Sequence, residues 1–297
     1  MHPPRWGGGP TRRRLLFPLL GLVAASLTAP AGGQSRPYPW AHAGGAALSE
    51  RLSPSPGAAR LPQETGSFGA WLRGLPTLPE GSRVRLHDGG LKARQDVHLA
   101  VIDLDVGPRD LQQCADAVMR LRAEWLWASG RADEACFRFT SGDAVSWRRW
   151  RAGERPRVRG NKVSWTRGAS TQADHSAYRR WLDQIFVYAG TASLVRGLRP
   201  VPIAEVAPGD VLIQGGHPGH AMIVVDVQVD KAGRRSFALA QSYMPAQQLH
   251  LVKGPGGGAW YPAQPGPILT PEWRFDASDL RRFPEATCAK GAGGPTP

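Results

Sequence analysis

GDVLIQGGHPGHAMIVVDVQVD, residues 209–230, holds two apolar runs, 211–213 and 221–225. Between them a loop of Gly215, Gly216, His217, Pro218 and Gly219 leads into His220. Short apolar runs rich in Val and Ile, bounded by Gly and Pro, read as strands. The segment therefore predicts strands at 210–214 and 220–229. A third, SFALAQSY (236–243), follows after the hairpin turn DKAGRR with Gly233. Side chains alternate along a strand, so His220, Met222, Val224 and Asp226 are expected on one face, with Gln241 approaching it from the next strand. The two imidazoles can cap a turn, bind a metal, or supply half of a catalytic pair.

Upstream the period changes from 2 to 3.6. A helix over 111–129 carries the stripe Leu111, Cys114, Val118, Leu121, Trp125. Asp110 is its expected N-cap, in capping-box spacing with Gln113. A second long helix is expected over 175–197, capped by Asp174 and ended by Gly197 and Pro200. Shorter elements are a helix through FGAWLRGL (68–75), strands at 98–105 and 135–140, and loop with QLHLV and PEWRF near the end. The basic stretch 151–170 reads as an exposed loop. Helices first and an antiparallel run of strands afterwards is the α+β pattern.

The chain has 297 residues, 37 Lys and Arg against 24 Asp and Glu, and a formal charge of +13. Arg12, Arg13 and Arg14 precede an apolar run ending at Leu27, and Ala29-Pro30-Ala31 offers a small-x-small cleavage site, so residues 1–31 read as an export signal. TRRRLL (11–16) also resembles a twin-arginine signal, which leaves the route open. The run is short for a membrane span, so no stable span is expected after cleavage. Residues 32–60 read as a flexible linker, 61–285 as a single domain and 286–297 as a disordered tail. The expected location is the periplasm or the exterior. Basic residues are scattered and no nucleic-acid motif accompanies them. A cell-wall polymer or a peptide is the expected partner, with no nucleic acid, cofactor or metal. Three cysteines, 114, 136 and 288, form no framework. Cys136 with Cys288 is one pairing that leaves Cys114 free.

Cys114 in the first turn of its helix sits where the macrodipole favours thiolate and lowers the thiol pKa. The same residue also fits as a small core side chain. A cysteine nucleophile needs a base and an orienter. His220 supplies the first, and Gln241 or Asp226 the second. Gln112 and Gln113 stand just before the cysteine, where oxyanion donors belong. His217 is a turn or substrate-binding candidate. HPGH (217–220) has HxxH spacing, but a loop before a strand does not put both rings on one face. Asp143 reads as a cap, Tyr188 and Thr191 as packing and C-cap, and Asp103 with Asp105 as an acid pair lacking further support.

PIAEVAPGDVLIQGGHPGHAMIVVDV (202–227) resembles the second half of the NlpC-type papain-like amidohydrolases, with Pro208-Gly209-Asp210 before the strand and Gly219-His220-Ala221-Met222-Ile223 after the loop. That resemblance implies a papain-like fold with Cys114 as nucleophile, His220 as base and Gln241 as orienter. Over 50–285 the chain resembles an uncharacterised family of mostly exported bacterial domains. That family is marked by DLQQCADAVMRLRAE, FTSGD, YAGT, PGHA and LAQSYMPAQ, all present here. Two functions are therefore expected to compete. One is an exported cysteine amidohydrolase or peptidase acting on an amide, with peptidoglycan peptides as the substrate implied by the resemblance. The other is a non-catalytic envelope-binding module on the same fold.

Overall fold

The computed structural model describes residues 38–40, 45–285 and 288. Its frame is an antiparallel sheet of nine strands. The main path runs His98–Val101, His250–Val252, Arg235–Gln241, His220–Val229, Val211–Gln214, Leu280–Arg282 and Arg199–Pro200, with Ala59–Arg60 and Tyr261–Pro262 pairing at the sides. The three strands read from 209–243 thus form its centre, with Gln214 opposite His220. The overall class is mixed helix and antiparallel sheet.

One face of the sheet carries the helices. Ala221, Ile223 and Val225 pack there with Ala115, Val118 and Leu121 of the helix Cys114–Ala128. The other face presents Leu212, Met222, Val224 and Val227, covered by Val201, Ile203 and the hairpin of Pro267–Leu269 with Arg274–Asp276, which contributes Ile268 and Phe275. Burial on both faces explains the continuous apolar runs: neither side needs polar residues at alternate positions.

A bulge breaks the expected alternation. Asp226 pairs with Ala238 while Val224 pairs with Leu239, so Val225 is the extra residue. Asp226 is thereby turned to the helix face, where Arg60 and Arg73 bind it at 2.8 and 2.6 Å. It does not share a face with His220.

The cysteine helix begins at Cys114, three residues later than its periodicity suggests. Gln113 is the N-cap, and its backbone N–H donates to Asp116 Oδ2 at 3.1 Å. Asp110 serves elsewhere: its Oδ1 accepts from Gln113 Nε2 and from the Ala246 backbone N–H. From Cys114 to Leu126 every residue of the helix is buried. Two of the charges among them are matched: Arg120 binds Glu124 at 2.6 Å and Asp105 at 2.8 Å, and His175 lies 2.8 Å from Glu124. Removing a buried charge from water is tolerable only with such partners. Asp105 is thus a structural ion-pair residue.

The second helix divides into His175–Tyr188 and Thr191–Arg196, because Ala189 is extended and Gly190 caps the second piece. Asp174 Oδ1 accepts from Ala177 N at 2.7 Å, the cap that its position predicts. The basic stretch is a hairpin, Glu154–Arg159 with Lys162–Arg167, rather than irregular loop. Arg155, Arg157 and Arg159 alternate with Pro156 and Val158, a period of 2 hidden by charge density.

Folded chain also starts earlier than expected. Leu48 and Leu52 are buried, and Ala59–Arg60 pairs with Val229 and Gln228, so the expected linker 32–60 is structured from Gly45. Cys288 is bonded to Cys136, which ties part of the expected tail to the domain and leaves Cys114 free. The expected signal 1–31 lies outside the described residues.

Candidate functional site

His220 opens its strand and is buried, its ring against Tyr243, Trp273 and Phe275 at 4.9, 5.1 and 5.9 Å between ring centres. Gln241 ends the neighbouring strand. Its Oε1 lies 2.8 Å from His220 Nε2. The rest of the Gln241 amide fixes which atom is which. Its Nε2 donates to Glu272 Oε2 at 2.7 Å and meets His250 Nε2 at 3.3 Å. His250 Nδ1 donates to the Gln248 carbonyl at 2.9 Å, so in the neutral ring Nε2 is an acceptor. Two acceptors hold the amide nitrogen, so Oε1 must face His220, and His220 must carry its proton on Nε2. The lone pair of the neutral ring is then on Nδ1. Lys92 Nζ closes the chain on Glu272 Oε1 at 2.5 Å.

Cys114 is the first residue of its helix. The backbone N–H groups of Ala221, Ala115 and Cys114 itself act on the thiol in the direction of a lower pKa. Burial outweighs them: together with nearby Asp116 it pushes the thiol up to about 11. The macrodipole expectation is therefore reversed, because desolvation of a thiolate exceeds the benefit of one helix end. Burial likewise lowers His220 to about 4, against the pull of Gln241. At neutral pH both groups are uncharged, thiol and imidazole.

Cys114 lines a cleft of about 440 Å³ with Gln113, Thr191, His217, Gly219 and Met244. Val187 and Met244 are 46% and 53% exposed, so apolar side chains stand open at its mouth. Thr191 ties the YAGT segment to the loop residue before HPGH, donating to the Gly216 carbonyl at 3.3 Å. A side chain at Gly219 would meet the carbonyls of Gly216 and Gln214 at 2.7 and 2.8 Å, which explains a glycine beside the histidine.

The sequence-derived candidates divide clearly. His220 and Gln241 are hydrogen-bonded, and the Cys114 thiol lies against Ala221, the residue after His220. Asp226 is excluded as orienter by the bulge. Gln112 is fully buried and faces away from the cleft, with its side chain bonded to Arg120 and the Asp105 carbonyl. It is no oxyanion donor, because helix start and Arg120 network claim it. Gln113 reaches the cleft wall, but its amide binds Asp110. His217 is exposed on the cleft wall while His220 is buried. Lys92, Glu272 and His250 escaped the sequence reading. Only the register Gln241 opposite His250 could have signalled one of them, and register needs the fold.

No curated protein and no solved structure matches the chain. The family model described as a domain of unknown function (4846) does match, over residues 48–282. Those limits take in the cysteine helix, the His220 strand and Glu272, and the chain belongs to that family of uncharacterised domains.

Proposed function

We propose that this domain is an exported cysteine hydrolase of papain-like, NlpC-type architecture, cleaving an amide. Cys114 Sγ attacks the carbonyl carbon while its proton passes to His220 Nδ1. The leaving amine takes that proton, and water then hydrolyses the thioester, returning the thiol. Gln241 holds the imidazole. The N–H groups of Cys114 and Ala115 at the helix start are the donors for the oxyanion. The observation that carries this reading is the Gln241 bridge, which forces a neutral His220 to keep its lone pair on Nδ1. Residues 1–31 as a signal, and the Cys136–Cys288 bond, support export, since disulfides persist in oxidising compartments. Peptidoglycan peptide as substrate rests on the NlpC resemblance alone.

A second reading is a non-catalytic envelope-binding module. Two observations favour it: the thiol pKa of about 11, and the exposed hairpin residues Arg157, Arg159 and Lys162. Iodoacetamide decides between them without a known substrate. Cys114 is the free cysteine, so label uptake reports on it. If His220 accepts the thiol proton, His220→Ala slows labelling at pH 7 by about tenfold or more, in the range of general-base assistance. Equal rates in the two proteins would leave the module.

A further inference from the structure

At the other end of the Val211–Gln214 strand, about 10 Å from the Gln214–His220 pair by strand rise, lies a second cleft of about 520 Å³. Its wall includes Phe68, Arg122, Trp125, Gly209 and Phe283. The Arg122 guanidinium is enclosed by aromatic rings, at 4.5 Å from Trp125 and 5.3 Å from both Phe68 and Phe283. Arg122 is only 7% exposed. Its Nε has no hydrogen-bond partner, and Nη2 reaches only the Pro284 carbonyl at 3.4 Å.

The surrounding charges are committed elsewhere. Arg282 holds Asp210 with two bonds, at 2.5 and 2.7 Å. Arg131 holds Glu134 with two bonds, at 2.8 and 2.6 Å. Glu285 stands exposed on the rim. Other buried cations in this domain, such as Arg120, have carboxylates in contact. Burial and the charge of Arg131 lower Arg122 to about 10 against the pull of the Glu134 carboxylate, which still leaves it protonated at neutral pH. A buried, protonated guanidinium with no carboxylate in contact is costly, and an anion that fits its fork relieves the cost.

We infer that this cleft binds an organic carboxylate bearing an apolar or aromatic group, with the carboxylate on Arg122 and the apolar group against Phe68 and Phe283. Planar fork geometry selects carboxylate, and the aromatic walls select what is attached to it. A small free acid and the C-terminal end of a peptide present the same chemistry. The cleft is separate from the Cys114 cleft, so the inference stands whether or not the domain is a hydrolase.

Calorimetric titration of the oxidised protein tests it, with N-acetyl-phenylalanine, its amide, and an N-blocked tetrapeptide ending in free phenylalanine. Saturable binding of the acid is expected by about 10 mM, the range for a small ligand with one charged anchor. Affinity should fall by about tenfold or more for the amide and for Arg122→Gln, since hydrogen bonds to charged groups are worth that much. Tighter binding of the tetrapeptide than of the acid identifies a peptide end as the ligand, and the reverse identifies a small acid. The amide comparison uses the unmodified protein, so it stands even if Arg122→Gln fails to fold. If neither acid nor tetrapeptide saturates, or if the amide binds equally well, Arg122 is a structural stacking residue and the inference is wrong.

Discussion

At the scale of single residues, the site is governed by desolvation. Cys114 and His220 are both pushed toward their neutral forms, and this has consequences for stability as well as chemistry. His220 is lowered to about 4 and His250 to about 3, against 6.5 in the unfolded chain. Between those values the unfolded chain binds more protons than the native one. Stability is therefore complete above pH 6.5 and falls as the pH drops through 6.5 towards 4 and then 3. At about 1.4 kcal/mol per pKa unit, His220 alone removes about 3 kcal/mol by pH 4. Urea midpoints measured from pH 7 to 4 should fall, and His220→Gln should flatten part of the slope. An unchanged slope in that variant would show that His220 is not the group responsible. The same logic sets the pH profile of labelling: alkylation of Cys114 should keep rising beyond pH 9, because the thiol titrates near 11. Cys114→Ser should cost little stability. The backbone N–H groups of Cys114, Ala115 and Ala221 that act on the thiol are available to a hydroxyl, so a buried polar atom is not left alone. A fall in melting temperature equivalent to more than about 2 kcal/mol would show instead that the thiol is packed as core.

At the scale of elements, turns and a bulge decide where side chains go. Gly209 precedes the Val211–Gln214 strand with φ of 95°, a backbone region that favours glycine. A Cβ there would lie 2.7 Å from the Phe68 ring. Gly209→Ala combines strain with a clash, and about 2–3 kcal/mol of lost stability is expected in thermal unfolding. A neutral result would mean that the Phe68 helix shifts freely, and the Arg122 cleft it lines would then be loosely built. The bulge at Val225 has the opposite sense: it turns Asp226 from the His220 face to Arg60 and Arg73. The hairpin 154–167 shows why charge masks periodicity. The two strands bury Pro156 and, in part, Glu154, Arg155, Val158, Val163 and Trp165, and the exposed positions between them tolerate arginine.

At the scale of the whole molecule, the Cys136–Cys288 bond closes a loop spanning 152 residues and attaches the end of the domain beside Phe283. Cross-linking so long a loop restricts the unfolded chain, and losing it should cost about 2–5 kcal/mol. A reductant should therefore lower the melting temperature of the unmodified protein and leave Cys288→Ala unaffected; equal shifts in both would exclude the bond as the cause. A chain beginning at Leu61 should also be destabilised, since it lacks Leu48, Leu52 and the Arg60 partner of Asp226. The sequence by itself determined the central strands, the Phe68 and Cys114 helices, the Asp174 cap and the pairing of histidine strand with Gln241 strand. Those features rest on local forces, namely periodicity, turn residues and caps, which act over a few residues. Tertiary structure alone decided the rest. Residues 45–60 look like linker until their few apolar side chains meet a core. Asp226 leaves the site because of a bulge set by pairing register. Lys92, Glu272 and His250 join His220 and Gln241 from 128 residues before and 9 to 31 residues after. The thiol and imidazole pKa values follow from burial, a property of the assembled domain that no local pattern in the chain encodes.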